Sequence, residues 1–293
     1  MNAANLALLD ILRCELNATN QQFAHILALR EWDRKEAAAR IVEVDDIDFA
    51  NAMRIIDHLV KSGVSISLAG AEFNPGTDYA AILRAEQAME ARLVAALDRS
   101  DAIESSAGHL VDTASRPRAA YARWLADNIA KTGATRNDKR AETKALEGLV
   151  GWLITMIEQS MIHAFVEWHG DNRPAADAAW ATSGAAMMQL TRLVRLFARL
   201  PSVPCGGACP VANICHQAGE TPNADRELAL CCALQADDAA QRCDQPAITK
   251  YCSSIADYYR QLSAWKPPAT HPAASSNPPV FHSFAATLAK FVS

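Results

Sequence analysis

Glycine is sparse in this chain, 12 of 293 residues, and runs of β-branched residues are short. Both shortages weigh against strands and the tight turns that join them. No basic block is long enough to line a nucleic-acid groove, and the net charge is −5, so nucleic acid is not an expected partner. No uninterrupted apolar run reaches the length of a membrane span. The richest, Leu149 to Val166, is broken by Glu158, Gln159 and His163, so no membrane association is expected. The opening MNAANLALLDILRCELN has neither a basic segment nor a small-residue cleavage site. It does not read as a secretory signal, and a cytoplasmic location is expected.

Alanine and leucine are abundant instead, and 50% of the residues are hydrophobic, enough for a sizeable core. The expected class is all-α, and the length favours two domains over one. Apolar residues recur at helical spacing through Leu6, Leu9, Leu12, Leu16, Phe23, Ile26, Leu27 and Leu29. They predict one long amphipathic helix ending near Trp32 and Asp33. A second helix is predicted from Glu36 to Ser62, with Gly63 as its stop. The segment NPGTD at 74–78 is a turn, with Thr77 or Asp78 capping a third helix through Ile82, Leu83, Met89, Leu93 and Leu97. A fourth is expected from Arg116 to Lys131, and TGATRNDKRAETK at 132–144 reads as a structureless linker.

The first hairpin then recurs. One constant offset pairs Gln21 with Gln159, His25 with His163, Asp33 with Asp171, Arg54 with Arg192 and Ile56 with Val194. SIADYYRQL at 254–262 is likewise similar to AAYARWLADNI at 119–129. Coincidence between two amphipathic helices is the alternative, but a single ungapped offset serving both helices favours duplication. The expected domains are a helical bundle at 1–134 and a second, cysteine-bearing bundle at 145–265. A proline-rich tail at 266–293, ending in the amphipathic VFHSFAATLAKFV, completes the chain. Helix faces are the expected contact surfaces for a second copy or a protein partner.

The stretch from Cys14 to Trp32, CELNATNQQFAHILALREW, holds Glu15 as its only acid before Glu31, followed by Asn20, Gln21, Phe23, His25 and Trp32. That order and spacing resemble the first helix of bacterioferritins and their ferritin-like relatives. The resemblance implies two tandem ferritin-like bundles and, in the first, a di-iron centre with Glu15 as its first-helix acid. In the same register Asp48 stands at the second-helix glutamate and Asn51 at its histidine partner. DYAAILRAEQAME is similar to the third-helix segment and places its ligand at Glu90, with Glu86 one turn earlier as the alternative. The fourth helix offers Asp127, beside Asn128, where the family carries Glu-x-x-His. The implied metal ligands are therefore Glu15, Asp48, Glu90 and Asp127, with iron as the cofactor.

Two departures matter: neither family histidine is matched, and Phe49 replaces the methionine that would bridge haem. Three states of the site stay open: a two-iron centre, a single or altered metal site, and a metal-free network. In the last, an inward acid would pair with Gln22, Arg54 or His58. The second repeat has Leu153 opposite Glu15 and Ala186 opposite Asp48. It retains Glu158, His163, Glu167 and His169, of which His163 and Glu167 share a face, as a two-ligand unit or as a plain hydrogen bond.

Seven of eight cysteines cluster late in the chain, at Cys205, Cys209, Cys215, Cys231, Cys232, Cys243 and Cys252. Glycines and a proline in PCGGACPVANICH suit a loop around a ligand. Cys205, Cys209 and Cys215, completed by Cys231 or Cys232, are the candidate cofactor ligands, for an iron–sulfur cluster or for zinc or copper held by thiolates. Burial of Cys231 and Cys232 as small hydrophobes is the competing explanation, and a Cys243–Cys252 disulfide is another. The expected function is that of a ferritin-like metal-binding protein, an iron-dependent oxidoreductase with a modified carboxylate site. A non-catalytic accessory protein built around the cysteines and a metal-free helical scaffold are the alternatives.

Overall fold

Eight helices and no strand make up the described part of the chain, so the class is all-α. They are α1 (Ala3–Glu31), α2 (Lys35–Lys61), α3 (Tyr79–Ser100), α4 (Arg118–Ile129), α5 (Ala141–His169), α6 (Arg173–Ala198), α7 (Thr221–Arg242) and α8 (Pro246–Ala264). The computed structural model describes residues 3–66, 76, 78–100, 110, 118–132, 141–198, 221–243 and 245–264. Cys205, Cys209, Cys215 and the proline-rich tail lie outside the described residues.

Local chemistry explains where these helices stop. After α1, Asp33 takes a left-handed backbone (φ 56°) while the Arg34 amide bonds the Leu29 carbonyl at 2.7 Å, closing a Schellman turn. Aspartate tolerates that conformation better than most residues. The turn after α5 is the same device: Asp171 has φ 59° and the Asn172 amide bonds the Glu167 carbonyl at 2.9 Å. Gly63 (φ 65°) ends α2 in this way too. Asp78, one of the two expected caps, caps α3 by accepting the Ala81 amide at 2.8 Å. A Cβ on Gly76 would lie 2.8 Å from the Ile82 amide nitrogen, and its φ is 70°, so this turn needs glycine twice over.

Two expectations need correction. The expected linker does not extend to residue 144, because α5 already begins at Ala141. Its AETK residues are good helix formers with no breaker among them. The fourth helix also stops at Ile129, before the expected Lys131, where the amides of Lys131 and Thr132 turn to the carbonyls three residues back, at Asn128 and Ile129.

α1 packs against α2, α3 and α6, while α5 packs against α6, α7 and α2. Both are 29 residues long. Both are central, with every residue from Ala18 to Leu29 and from Leu153 to Glu167 buried. The stretch Leu146–His169 is long and apolar enough to cross a membrane, but almost all of it is buried in the protein interior. It therefore serves as a core helix here.

The two hairpins meet reciprocally, α1 on α6 and α2 on α5. Asn20 donates to Glu158 Oε1 at 2.6 Å, two positions 138 residues apart and so equivalent under the sequence offset.

Three apolar cores result. One joins α5–α8 with Phe23, Ala24 and Leu27 of α1. A second joins the first half of α1 to α2 and α3, with Met161, Ile162, Phe165 and Val166 of α5. The third packs Ile26 and Leu29 against Ile41, Ile82, Tyr121 and Leu125. Between the second and third lies a buried polar layer.

Candidate functional site

The polar layer draws on all four helices of the first half. Glu15, Gln22 and His25 share one stripe of α1, two turns and then one turn apart, and Asp45, Asp48 and Asn51 follow each other by single turns on α2. Glu86 and Glu90 come from α3, Arg118 and Tyr121 from α4. Every one of these side chains is buried.

Arg118 is the centre of the arrangement. Its Nη2 donates to Asp48 Oδ1 at 2.6 Å and to both oxygens of Glu15 at 3.2 Å, and its Nη1 donates to Glu90 Oε2 at 3.0 Å. Gln22 Nε2 adds a donor to Asp48 at 3.1 Å, and Asn51 reaches Glu15 at 3.5 Å. A second group sits beside it, where Glu86 bonds His25 Nδ1 at 2.5 Å through Oε1 and accepts the Tyr121 hydroxyl at 2.5 Å through Oε2.

Burial dominates the electrostatics. It pushes Glu15 well above the usual carboxylate range, helped by the neighbouring Asp48 charge and only partly opposed by Arg118. Asp48 is also raised by burial, less so because Arg118 and Gln22 favour its charged form. Glu90 rises for the same reason. Burial works against the Arg118 charge, but Asp48, Glu15 and Glu90 outweigh it and hold the guanidinium firmly protonated. Burial, then Glu86, pushes Tyr121 up, so its hydroxyl stays a donor.

Among the expected ligands, the structure brings Glu15, Asp48 and Glu90 together and leaves Asp127 exposed on the outer face of α4. Glu86 faces the same layer but is bonded to His25 and Tyr121. Of the partners expected for an inward acid, Gln22 takes part, whereas Arg54 is exposed and reaches Asn51 at 3.4 Å. Arg118, Tyr121 and Asp45 are the residues that sequence reasoning missed. The signal was the spacing, because Arg118 and Tyr121 are three apart in the fourth helix, as Glu-x-x-His would be. A search limited to acids and histidines passes over it.

At the sequence offset of 138 residues, Leu153, Ala186 and Ala256 are the counterparts of Glu15, Asp48 and Arg118, and each is 0% exposed. His163 bonds Asp225 at 2.6 Å, repeating the His25–Glu86 pair, and in that register Ala229 stands where α3 carries Glu90. Glu167 accepts from Asn172 at 2.6 Å in the hairpin turn, while His163 bonds Asp225 through Nδ1 and its Nε2 has no hydrogen-bond partner among the described residues. Glu158, wholly buried with only Asn20 to favour its charge, is pushed up to about 8. His169 pairs with Asp57 at 2.9 Å across the two halves. Cys232 is buried with its thiol on the Trp152 carbonyl, while Cys231, next in sequence, is half-buried. Cys243 and Cys252 are buried free thiols, and burial pushes Cys252 up to about 12.

The acids grouped in the first half are held by internal partners in this structure. Three of them already share a guanidinium, and His25 is engaged by Glu86. Among the described residues no group of three or more histidine, cysteine or carboxylate side chains is placed to hold a metal ion. Comparison of the chain with protein-family models, with curated proteins and with solved structures finds no match.

Proposed function

We propose that this chain is a duplicated ferritin-like protein whose carboxylate site has exchanged its metal for an internal arginine, and that it serves as a metal-free helical scaffold. The observation that carries the reading is Arg118, buried among Glu15, Asp48 and Glu90 with every contact at 3.2 Å or less. A guanidinium held in this way supplies the positive charge that buried carboxylates require, without coordination or redox chemistry. Duplication is supported by the matched turns at Asp33 and Asp171, the equal lengths of α1 and α5, and the Asn20–Glu158 contact. In the scaffold reading, exposed helix faces contact a protein partner.

Elemental analysis of protein purified without air tests this. No stoichiometric iron should be held by the carboxylates, and Glu15→Ala should leave the metal content unchanged. Roughly two irons per chain, lost in Glu15→Ala with helix content retained, would restore the iron-dependent oxidoreductase. A second reading, an accessory protein with a thiolate-bound metal or iron–sulfur cluster, rests on half-buried Cys231 as a partner for Cys205, Cys209 and Cys215. It requires metal that disappears on Cys→Ser substitution.

A further inference from the structure

Asp45 belongs to the polar layer but not to either of its bonded groups. It lies one turn before Asp48 on α2 and is 0% exposed, and neither carboxyl oxygen has a hydrogen-bond partner among the described residues. The charges acting on it are all negative: Asp48 and Asp46 on its own helix, and Glu86 on α3. The remaining titratable groups of the layer are Glu15 and His25 on α1, Glu90 on α3, and Arg118 and Tyr121 on α4. Arg118 donates to Glu15, Asp48 and Glu90, Tyr121 donates to Glu86, and His25 is bonded to Glu86.

The layer is also short of donors. Glu90 Oε1 and Gln22 Oε1 are further buried acceptors without a hydrogen-bond partner among the described residues. Five buried carboxyls therefore face one guanidinium and one imidazole. An ionised carboxylate with no donor and no cation in reach is the costliest group a core can hold, whereas the neutral acid adds a donor where acceptors are in excess.

We propose that Asp45 is a proton-binding site, neutral at physiological pH, and that loss of this proton at alkaline pH loosens the packing of α2 against α1 and α3. The proton is a latch on the first half of the molecule. Its release would leave Asp45 negative beside Asp48 and Glu86, and α2 relieves that repulsion by moving outward. Burial first, then Asp48, Asp46 and Glu86, raise this carboxyl well above the ordinary aspartate range, the direction that the geometry requires. The inference stands apart from the scaffold reading, since it needs neither ferritin-like ancestry nor the absence of metal elsewhere.

The test compares the full-length protein with Asp45→Asn, which keeps the shape and removes the charge. The unfolded chain releases the Asp45 proton near pH 4 and the folded chain releases it later, so Asp45 adds about a tenfold fall per pH unit to the wild-type folding constant across that window, beside the contributions of other buried acids such as Glu158. In Asp45→Asn the slope should shrink by one proton, with stability at pH 8 equal to or above that of the wild type. The infrared carbonyl stretch of a protonated carboxyl should lose one component in the variant at pH 7. On raising the pH, amide hydrogen exchange in α2 should accelerate in the wild type but not in Asp45→Asn. An unchanged infrared spectrum, or an unchanged slope, would overturn the proposal. If Asp45→Asn fails to fold, Asp45→Leu, in which an apolar side chain takes the place, serves instead. The wild type must then show one protonated-carboxyl signal more than Asp45→Leu at pH 7, and equal numbers would overturn the proposal.

Discussion

Replacing Arg118 by methionine removes a buried counter-ion while keeping much of its aliphatic bulk. Its partners Glu15, Asp48 and Glu90 have side chains 0%, 0% and 6% exposed, so water cannot take over the solvation of their charges. Breaking a buried ion network from one side typically costs about 3–5 kcal/mol. Here the carboxyls escape part of that cost by taking up protons, which puts the expected loss for Arg118→Met at about 3 kcal/mol at pH 7. The second half points to the complementary experiment, because it holds Leu153, Ala186, Ala229 and Ala256 at the four matched positions, all 0% exposed. The charges are present as a set or absent as a set. A fourfold variant, Glu15→Leu, Asp48→Leu, Glu90→Met and Arg118→Met, should return to within about 1 kcal/mol of the wild type or exceed it. The four changes are therefore strongly non-additive. Urea denaturation followed by far-ultraviolet circular dichroism measures both. The Arg118→Met deficit should also narrow towards pH 5, since its folded state binds more protons than its unfolded state and so gains stability as pH falls. A cost below about 1 kcal/mol for Arg118→Met, the size of a surface pair, would refute the reasoning, as would a fourfold variant less stable than the single one.

Glu158→Gln tests the contact between the two hairpins. Glu158 titrates at about 8 in the folded protein against an ordinary 4.5, so wild-type stability is highest below the lower value and falls as pH rises to the upper. The glutamine variant should lose that slope and exceed the wild type by on the order of a few kcal/mol at pH 9 in thermal or urea melts. Tyr121→Phe removes a donor to Glu86 and should cost about 1–2 kcal/mol. Tyr259→Phe, at the equivalent place in the second half, removes a hydroxyl without a hydrogen-bond partner among the described residues, and should change stability by less than about 0.5 kcal/mol.

Much of the helical framework was legible in the sequence because its signals are local. The apolar spacing of α1, Gly63 after α2 and Asp78 before α3 each act within a turn or two of chain. The paired turns were legible too, as the constant offset between Asp33 and Asp171. The grouping of Glu15, Asp48 and Glu90 was legible only through the resemblance of their helices to those of ferritin-like proteins. Register could not reveal the partner that closes the site, because Arg118 is 103 positions from Glu15 and its role depends on how α4 docks. Asp127 illustrates the same limit: it has suitable chemistry, but rotation about α4 turns it to solvent. Asp45 escaped notice for another reason, since an unpartnered buried carboxyl is defined by what surrounds it in space.

The central claim is that a guanidinium, and not a metal, is the cation of the carboxylate layer. Arginine-selective nitrogen-15 NMR with anaerobic addition of ferrous iron tests it most directly. The account predicts one strongly protected guanidinium signal, absent in Arg118→Met and unmoved by iron. Loss of that signal as roughly two irons bind per chain would contradict it.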